Sequence, residues 1–299
     1  MQDIFNKYLD YLRAEKNASR YTVRNYEADL RDFFGYVHSQ GITSLKEIDK
    51  QAIRSYLTSL VERDMAKSSM SRKLSAIRSF YRYLRREEII KESPVENIAS
   101  PKLDKRLPTF LTGDEAKKLV ESPDLSKPEG QRDRALLEML YASGMRVSEL
   151  VSLNIEQVNL ENREIRVWGK GSKERIVLIG EPAAAALVGY LNSGRPRLLG
   201  NKPNTAVFLG RYGGRLPVRT VEKILAKYAR SVGKRVHPHM LRHTFATHML
   251  DGGADLRVVQ ELLGHATLSS TQVYTHVTKS QARKVYLSAH PMARQNEDN

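Results

Sequence analysis

Apolar positions recur at helical spacing from the start of the chain to about residue 93. Ile4, Tyr8 and Leu12 predict one helix, and Val23, Tyr26, Leu30, Phe33 and Val37 a second that Gly41 ends. A third is predicted from Ser44 to about Glu62. A fourth runs from Ser69 to about Arg86, with Leu74, Ile77, Tyr81 and Leu84 on its buried face. Four helices joined by short loops predict a small bundle over residues 1–93. The pattern lapses in ESPVENIASPKLDKRLPTFLT, where prolines at 94, 101 and 108 and mixed charge predict a linker over 94–108. Thr112 and Glu115 form a capping box, so a second domain is predicted over 109–299.

In that second domain the period changes more than once. A helix is predicted around Arg132 to Tyr141, broken at Ser143-Gly144 and followed by another from about Val147. The stretch EIRVWGKGSKERIVLI alternates on both sides of a turn containing Gly169 and Gly171, which predicts two paired strands. AVFLG reads as a further extended piece. In HPHMLRHTFATHMLDGG, Leu241, Phe245 and Met249 recur every four residues and predict a core-facing helical stripe. The expected fold is mainly α with a small β-sheet.

Charge adds a partner to this picture. Among 299 residues, 49 Lys and Arg against 34 Asp and Glu leave a formal +15, with a pI near 9.8. Such an excess points to a polyanion, either nucleic acid or an acidic membrane surface. The N-terminal stretch MQDIFNKYLDYLRAEKN is amphipathic rather than a signal peptide, and no apolar run approaches the roughly 18 residues that span a bilayer. No membrane insertion and a cytoplasmic location are therefore expected. The chain has no cysteine, which excludes disulfides, thiolate metal sites and cysteine nucleophiles. The fourth helix carries Arg72, Lys73, Arg78, Arg82 and Arg85, with serines at 68, 69 and 71, a basic face suited to a run of phosphates. A merely solvated charged face explains the same pattern.

Residues 237–253 crowd His237, His239, His243, His248 and Arg242 into one helix. His239 and His243 share a face at a spacing that zinc sites use. However, HExxH is absent, Asp251 lies beyond the last histidine, and the permanently protonated Arg242 repels a cation. An anion reverses that objection, because orphan N–H groups at a helix start already attract it. Neither a metal nor a cofactor is expected. His248 lies opposite His239 on the wheel and reads as structural.

Other marked residues follow in order: Arg146 in SGMRVSEL, Lys170 in GKGSKER, His239 and Arg242 in HMLR, His265 in LGH, then Tyr274 nine residues on. This ordered set resembles the tyrosine site-specific recombinases of the phage integrase family. GKGSKER and the late AHPMA look most like its Xer branch. The resemblance implies a four-helix SAM-like DNA-clamp domain before an α+β catalytic domain. It implies that Tyr274 is the nucleophile forming a 3′-phosphotyrosyl bond, and that Arg146 and Arg242 clamp the phosphate. His239 would be the general base, Lys170 the general acid with Lys173 as the alternative, and His265 a further donor. Glu149 would hold donors in place, without metal or ATP. The implied partners are a double-stranded recombination site and a homotetramer, or a heterotetramer with a paralogue, on two duplexes. An FtsK-type DNA translocase is left open. Dimer resolution during chromosome segregation is the implied role, with a mobile-element integrase, a type IB topoisomerase and a non-catalytic DNA-binding protein as alternatives. In the tail, Ala282, Val285 and Ala289 form an apolar stripe expected to dock on a neighbouring protomer.

Overall fold

Tyr8, Leu30, Phe33, Tyr56, Ile77 and Phe80 are essentially sealed from solvent in one core, which is where the periodic stripes of the first helices meet. The computed structural model describes residues 2–16, 18–101, 109–168, 174–201, 203–264 and 279–293. It divides into two compact units, Met1–Arg106 and Leu107–Asn299.

The first unit holds α1 (Gln2–Ala14), α2 (Arg20–Ser39), α3 (Lys50–Glu62) and α4 (Lys67–Arg86). Ser19 caps α2 by accepting the Thr22 N–H, and Gly41 takes the left-handed conformation after it. The third predicted helix is two pieces. Ser44 and Glu47 close a capping box on a short 3₁₀ turn, and Asp49 then caps α3 afresh.

Lys73 corrects the expectation of a phosphate contact. It is 5% exposed, and its ammonium sits 2.9 Å from Asp32 Oδ2 and 3.5 Å from Asp29 Oδ1 on α2. Arg72 pairs with Asp29 as well. Asp32 also accepts from the Tyr56 hydroxyl at 2.6 Å and from Arg63 at 3.1 Å. Burial works against the Asp32 charge, but these donors outweigh it and bring the carboxyl down to about 2. The positive charge of Lys73 is thus used inside the bundle.

The second unit is wrapped around α6 (Pro128–Ser143), whose apolar residues face neighbours on all sides. α5 (Gly113–Glu121) opens on the expected Thr112–Glu115 capping box. The sheet is antiparallel in the order β1 (Val158–Asn159), β2 (Glu164–Trp168), β3 (Glu174–Leu178). Its register pairs Glu164 with Leu178 and Trp168 with Glu174. Ile165 and Val167 are buried while Arg166 and Trp168 face solvent, as the alternation predicts. AVFLG makes only isolated bridges, Asn154 to Ala206 and Leu209 to Arg215. The unit is completed by α7 (Val147–Ser152), α8 (Glu181–Gly189), α9 (Arg195–Leu199), α10 (Val218–Tyr228), α11 (Pro238–Asp251), α12 (Leu256–Leu263) and α13 (Lys279–Ala289).

The tail expectation also changes. Ala282, Val285 and Ala289 pack within the same chain, on the cluster that α11 and α12 form around Phe245, Met249, Val258 and Leu262. Ala289 lies so close to Gly252 that a Cβ there would stand 2.1 Å from the Ala289 carbonyl oxygen. The Tyr286 hydroxyl donates to the Ala142 carbonyl at 2.9 Å. Fully buried His290 sits among the rings of Tyr141, Phe245 and Tyr286.

Two expected outcomes follow. Lys73→Met removes a buried ammonium from Asp32 and leaves buried Asp29 with Arg72 as its cation, lowering the stability of the first unit by about 2 kcal/mol, read from its urea unfolding transition; an exposed change such as Arg82→Ala stays within about 0.5 kcal/mol. Burial and then His248 push His290 down to about 3, so it is neutral in the folded state. Its contribution is complete above the ordinary histidine value of about 6.5 and is lost as pH falls below it. Amide protection factors in α13, corrected for the intrinsic exchange rate at each pH, should therefore fall between about pH 6 and 4, and His290→Leu should flatten that dependence.

Candidate active site

Gly144 ends α6 in the left-handed conformation, with no room for a side chain: a Cβ would fall 2.4 Å from the Phe245 ring. The chain turns there into α7, which places Arg146 at the N-cap. Gly264 ends α12 in the same left-handed way. Between these two turns lies α11, which carries Arg242.

The two arginines meet on consecutive carbonyls. Arg242 donates through Nη1 to the Gly144 oxygen and through Nη2 to the Leu263 oxygen, both at 2.7 Å. Arg146 Nη2 reaches the next carbonyl, Gly264, at 3.3 Å. Burial and then Arg146 bring Arg242 down to about 10, so it stays protonated at neutral pH. Glu149 binds Arg146 twice, accepting from its backbone N–H and its Nη1 at 2.8 Å each. Burial raises the Glu149 carboxyl, but Arg175 and the Arg146 contacts outweigh this and hold it low.

Arg175 is the residue that the sequence reading missed. It forks onto both Glu149 oxygens at 2.8 Å from the second position of β3. Three guanidiniums therefore surround one carboxylate, and Coulomb repulsion among them asks for an anion. The signal available in the sequence was a charged residue inside ERIVLI, at a strand position facing the core.

The histidines part company. His239 lies exposed in the first turn of α11, where Pro238 takes the first helical position. It lines a cavity of about 740 Å³ with Val147, Lys234, Arg235 and His237. His237 is the N-cap, its Nδ1 accepting the Met240 N–H at 3.1 Å, and burial, His239 and Arg235 push its pKa down. His243 faces Phe110, and His248 bonds to the Tyr141 hydroxyl at 2.8 Å in the core. In the first unit Arg78 is tied to the Ile98 carbonyl and Ser100, while Arg82 lines a shallow cavity with Arg78 and Arg85. The structure thus brings together Arg146, Glu149 and Arg242. Lys170, Lys173, His265 and Tyr274 lie outside the described residues.

Residues 109–281 match the model of the Phage integrase family, and residues 5–88 that of the Phage integrase N-terminal SAM-like domain. The chain belongs to the phage integrase family. Tyrosine recombinase XerC of Pelotomaculum thermopropionicum is 49% identical over 300 residues, covering 97% of this chain and 98% of the relative. Tyrosine recombinase XerD of Staphylococcus epidermidis is 43% identical over 295 residues, covering 98% and 100%. These similarities place the protein in the Xer branch of the tyrosine recombinases, enzymes of site-specific recombination that break and rejoin DNA strands. The crystal structure of XerH bound to a palindromic difH substrate, a post-cleavage complex, superposes with a TM-score of 0.69 at 27% identity, over 91% of this chain and 77% of that one. This recombinase shares that architecture, mainly helical with a small sheet.

Arg242→Ala in the recombinase removes the donors of two carbonyls in the buried turns at 144 and 263. A loss of about 1–3 kcal/mol is expected for each group left unpaired. Arg242→Lys, whose single ammonium replaces a two-pronged fork, should fall between that variant and the wild type in urea midpoint.

Proposed function

We propose that this Xer recombinase cuts and rejoins a specific double-stranded DNA site through a 3′-phosphotyrosyl intermediate on Tyr274, and that it resolves chromosome or plasmid dimers. The convergence of Arg146 and Arg242 on the Leu263 and Gly264 carbonyls carries this reading, because it concentrates permanent positive charge where LGH begins. Each guanidinium has five N–H donors, and the side-chain bonds described use two on each. Among the described residues nothing takes the remainder, which we assign to a phosphate.

The chemistry balances with the residues at hand. The Tyr274 oxygen attacks phosphorus and the bond to the 5′ oxygen breaks, so the phosphodiester becomes a phosphotyrosyl diester. A phenol with an ordinary pKa of about 10 needs a base, and His239 takes its proton. Lys170, with Lys173 as the alternative, protonates the departing 5′ oxygen. Negative charge grows on the non-bridging oxygens in between, where each clamping arginine is worth about 3 kcal/mol, or roughly a hundredfold to a thousandfold in rate. His265 adds a hydrogen bond there, and Glu149 holds Arg146 in place. The covalent link keeps the energy of the broken bond, so rejoining requires neither ATP nor a metal.

Exchange between two duplexes requires four strands to be cut, hence four protomers. Similarity to both XerC and XerD supports a homotetramer and a heterotetramer with a paralogue equally. An FtsK-type translocase is a partner that the Xer likeness alone supports. No described helix is long and apolar enough to cross a membrane, and we place the protein in the cytoplasm with its DNA.

The test begins with the sequence that the protein selects from genomic DNA, placed in a nicked duplex. Wild-type protein should form a covalent adduct in EDTA, and Tyr274→Phe should form none while still binding. An adduct that survives in the Phe variant reassigns the nucleophile. Efficient relaxation of a supercoiled plasmid lacking the site would indicate a topoisomerase instead. Arg82→Ala should weaken binding and shallow the log–log salt slope by about one unit.

A further inference from the structure

Glu149 has no acceptor position to spare. Its Oε1 takes Arg146 Nη1 and Arg175 Nη1, and its Oε2 takes the Arg146 backbone N–H and Arg175 Nη2, all at 2.8 Å. A carboxylate offers about four lone-pair sites, so this one is filled. The side chains are graded in exposure: Glu149 is 5% exposed, Arg175 14% and Arg146 40%. Arg146 therefore faces outward, while Arg175 closes the pair from behind.

Arg175 is itself held on its other side. It lies flat on Gly264, where a Cβ would stand 2.9 Å from its Cδ and Nε and 3.0 Å from its Cζ. Among the described residues, its Nε is buried without a partner. A buried donor left unpaired costs stability, of order 1–3 kcal/mol. The residue keeps its place on Gly264 despite that cost.

We propose that Arg175 is a positioning residue for DNA cleavage, acting on the phosphate only through Glu149 and Arg146. Alone with Arg146, the buried Glu149 carboxylate has one cationic partner and draws that guanidinium inward, away from the phosphate. Two forked N–H bonds from Arg175 satisfy the carboxylate from the inner side. Arg146 then keeps one side-chain bond to Glu149 and presents its outer edge. The carbonyl of Gly264 fixes the second edge of Arg146, so the same glycine supports both arginines. A lysine at 175 restores the charge but not the planar fork.

This inference rests on the reading of the protein as a DNA-cleaving recombinase. The experiment measures single-turnover adduct formation on the nicked duplex, which traps product irreversibly and so reports slow variants over hours. Arg175→Met should cleave about thirtyfold more slowly than wild type while binding the duplex within about threefold. Arg175→Lys should lose about tenfold. In an Arg146→Ala background, either change should cost less than about twofold, because the route through Arg146 is already gone. A purely structural defect multiplies the loss equally in both backgrounds, and that result overturns the proposal. So does an Arg175→Lys protein that cleaves at the wild-type rate, which is the deciding comparison should Arg175→Met fail to fold. A wild type that forms no adduct on its selected site removes the functional reading and this one with it, whereas additive losses in an active enzyme remove this one alone.

Discussion

Three guanidiniums held around one buried carboxylate are the constraint on which the second unit is built. Arg146, Arg175 and Arg242 repel one another, and Arg242 registers that repulsion together with its burial as a lowered pKa. Glu149 cancels one of the three charges, leaving an excess of two in a place only partly open to water. A fold tolerates such a cluster when backbone carbonyls and packing fix each side chain, and when a ligand of opposite sign is its intended occupant. A DNA phosphate, the ligand proposed for this site, has that sign, and charge would grow on its oxygens as a nucleophile attacks.

The geometry follows from two glycines and a helix between them. Gly144 and Gly264 both take left-handed conformations, and both are crowded: Phe245 fills the space beside one and Arg175 the space beside the other. Each turn exposes a carbonyl that an arginine caps. Arg242 bridges the turns by holding Gly144 at one end and Leu263 at the other, so the spacing of the two loops is set by one side chain of fixed length. Phe245, three residues further along α11, anchors that helix in the apolar cluster beneath. A substitution at either glycine thus reaches the site through packing rather than through direct contact with DNA.

Much of this was legible because it is local. Helical spacing placed Leu241, Phe245 and Met249 on the buried side, and the capping box at Thr112 marked where the second unit's first helix begins. The residues that misled are those whose partners lie far along the chain. Lys73 sits among basic neighbours on α4, and nothing within the helix reveals that Asp29 and Asp32 meet it from α2. Arg175 presents the reverse case, an apparently ordinary strand residue whose partner is 26 positions earlier. His237 could have been read locally, since a histidine before a proline at a helix start can supply a capping acceptor. The tail stripe was correctly seen as apolar, but periodicity does not say which surface covers it.

Net charge survives this uncertainty for a simple reason. Every internal ion pair removes one cation and one anion together, so burying Lys73 against Asp29 or Arg175 against Glu149 leaves the formal +15 unchanged. The excess must then appear on surfaces where cations outnumber acids, such as the wall where Arg230, Lys234 and Arg235 face one acid, Glu222. Lys234 shows the limit of even that inference, since it pairs with Glu115 at 2.6 Å. Composition therefore identifies a polyanionic partner more securely than it identifies the residues that touch it. Assigning those contacts requires the pairings, and the pairings are long-range.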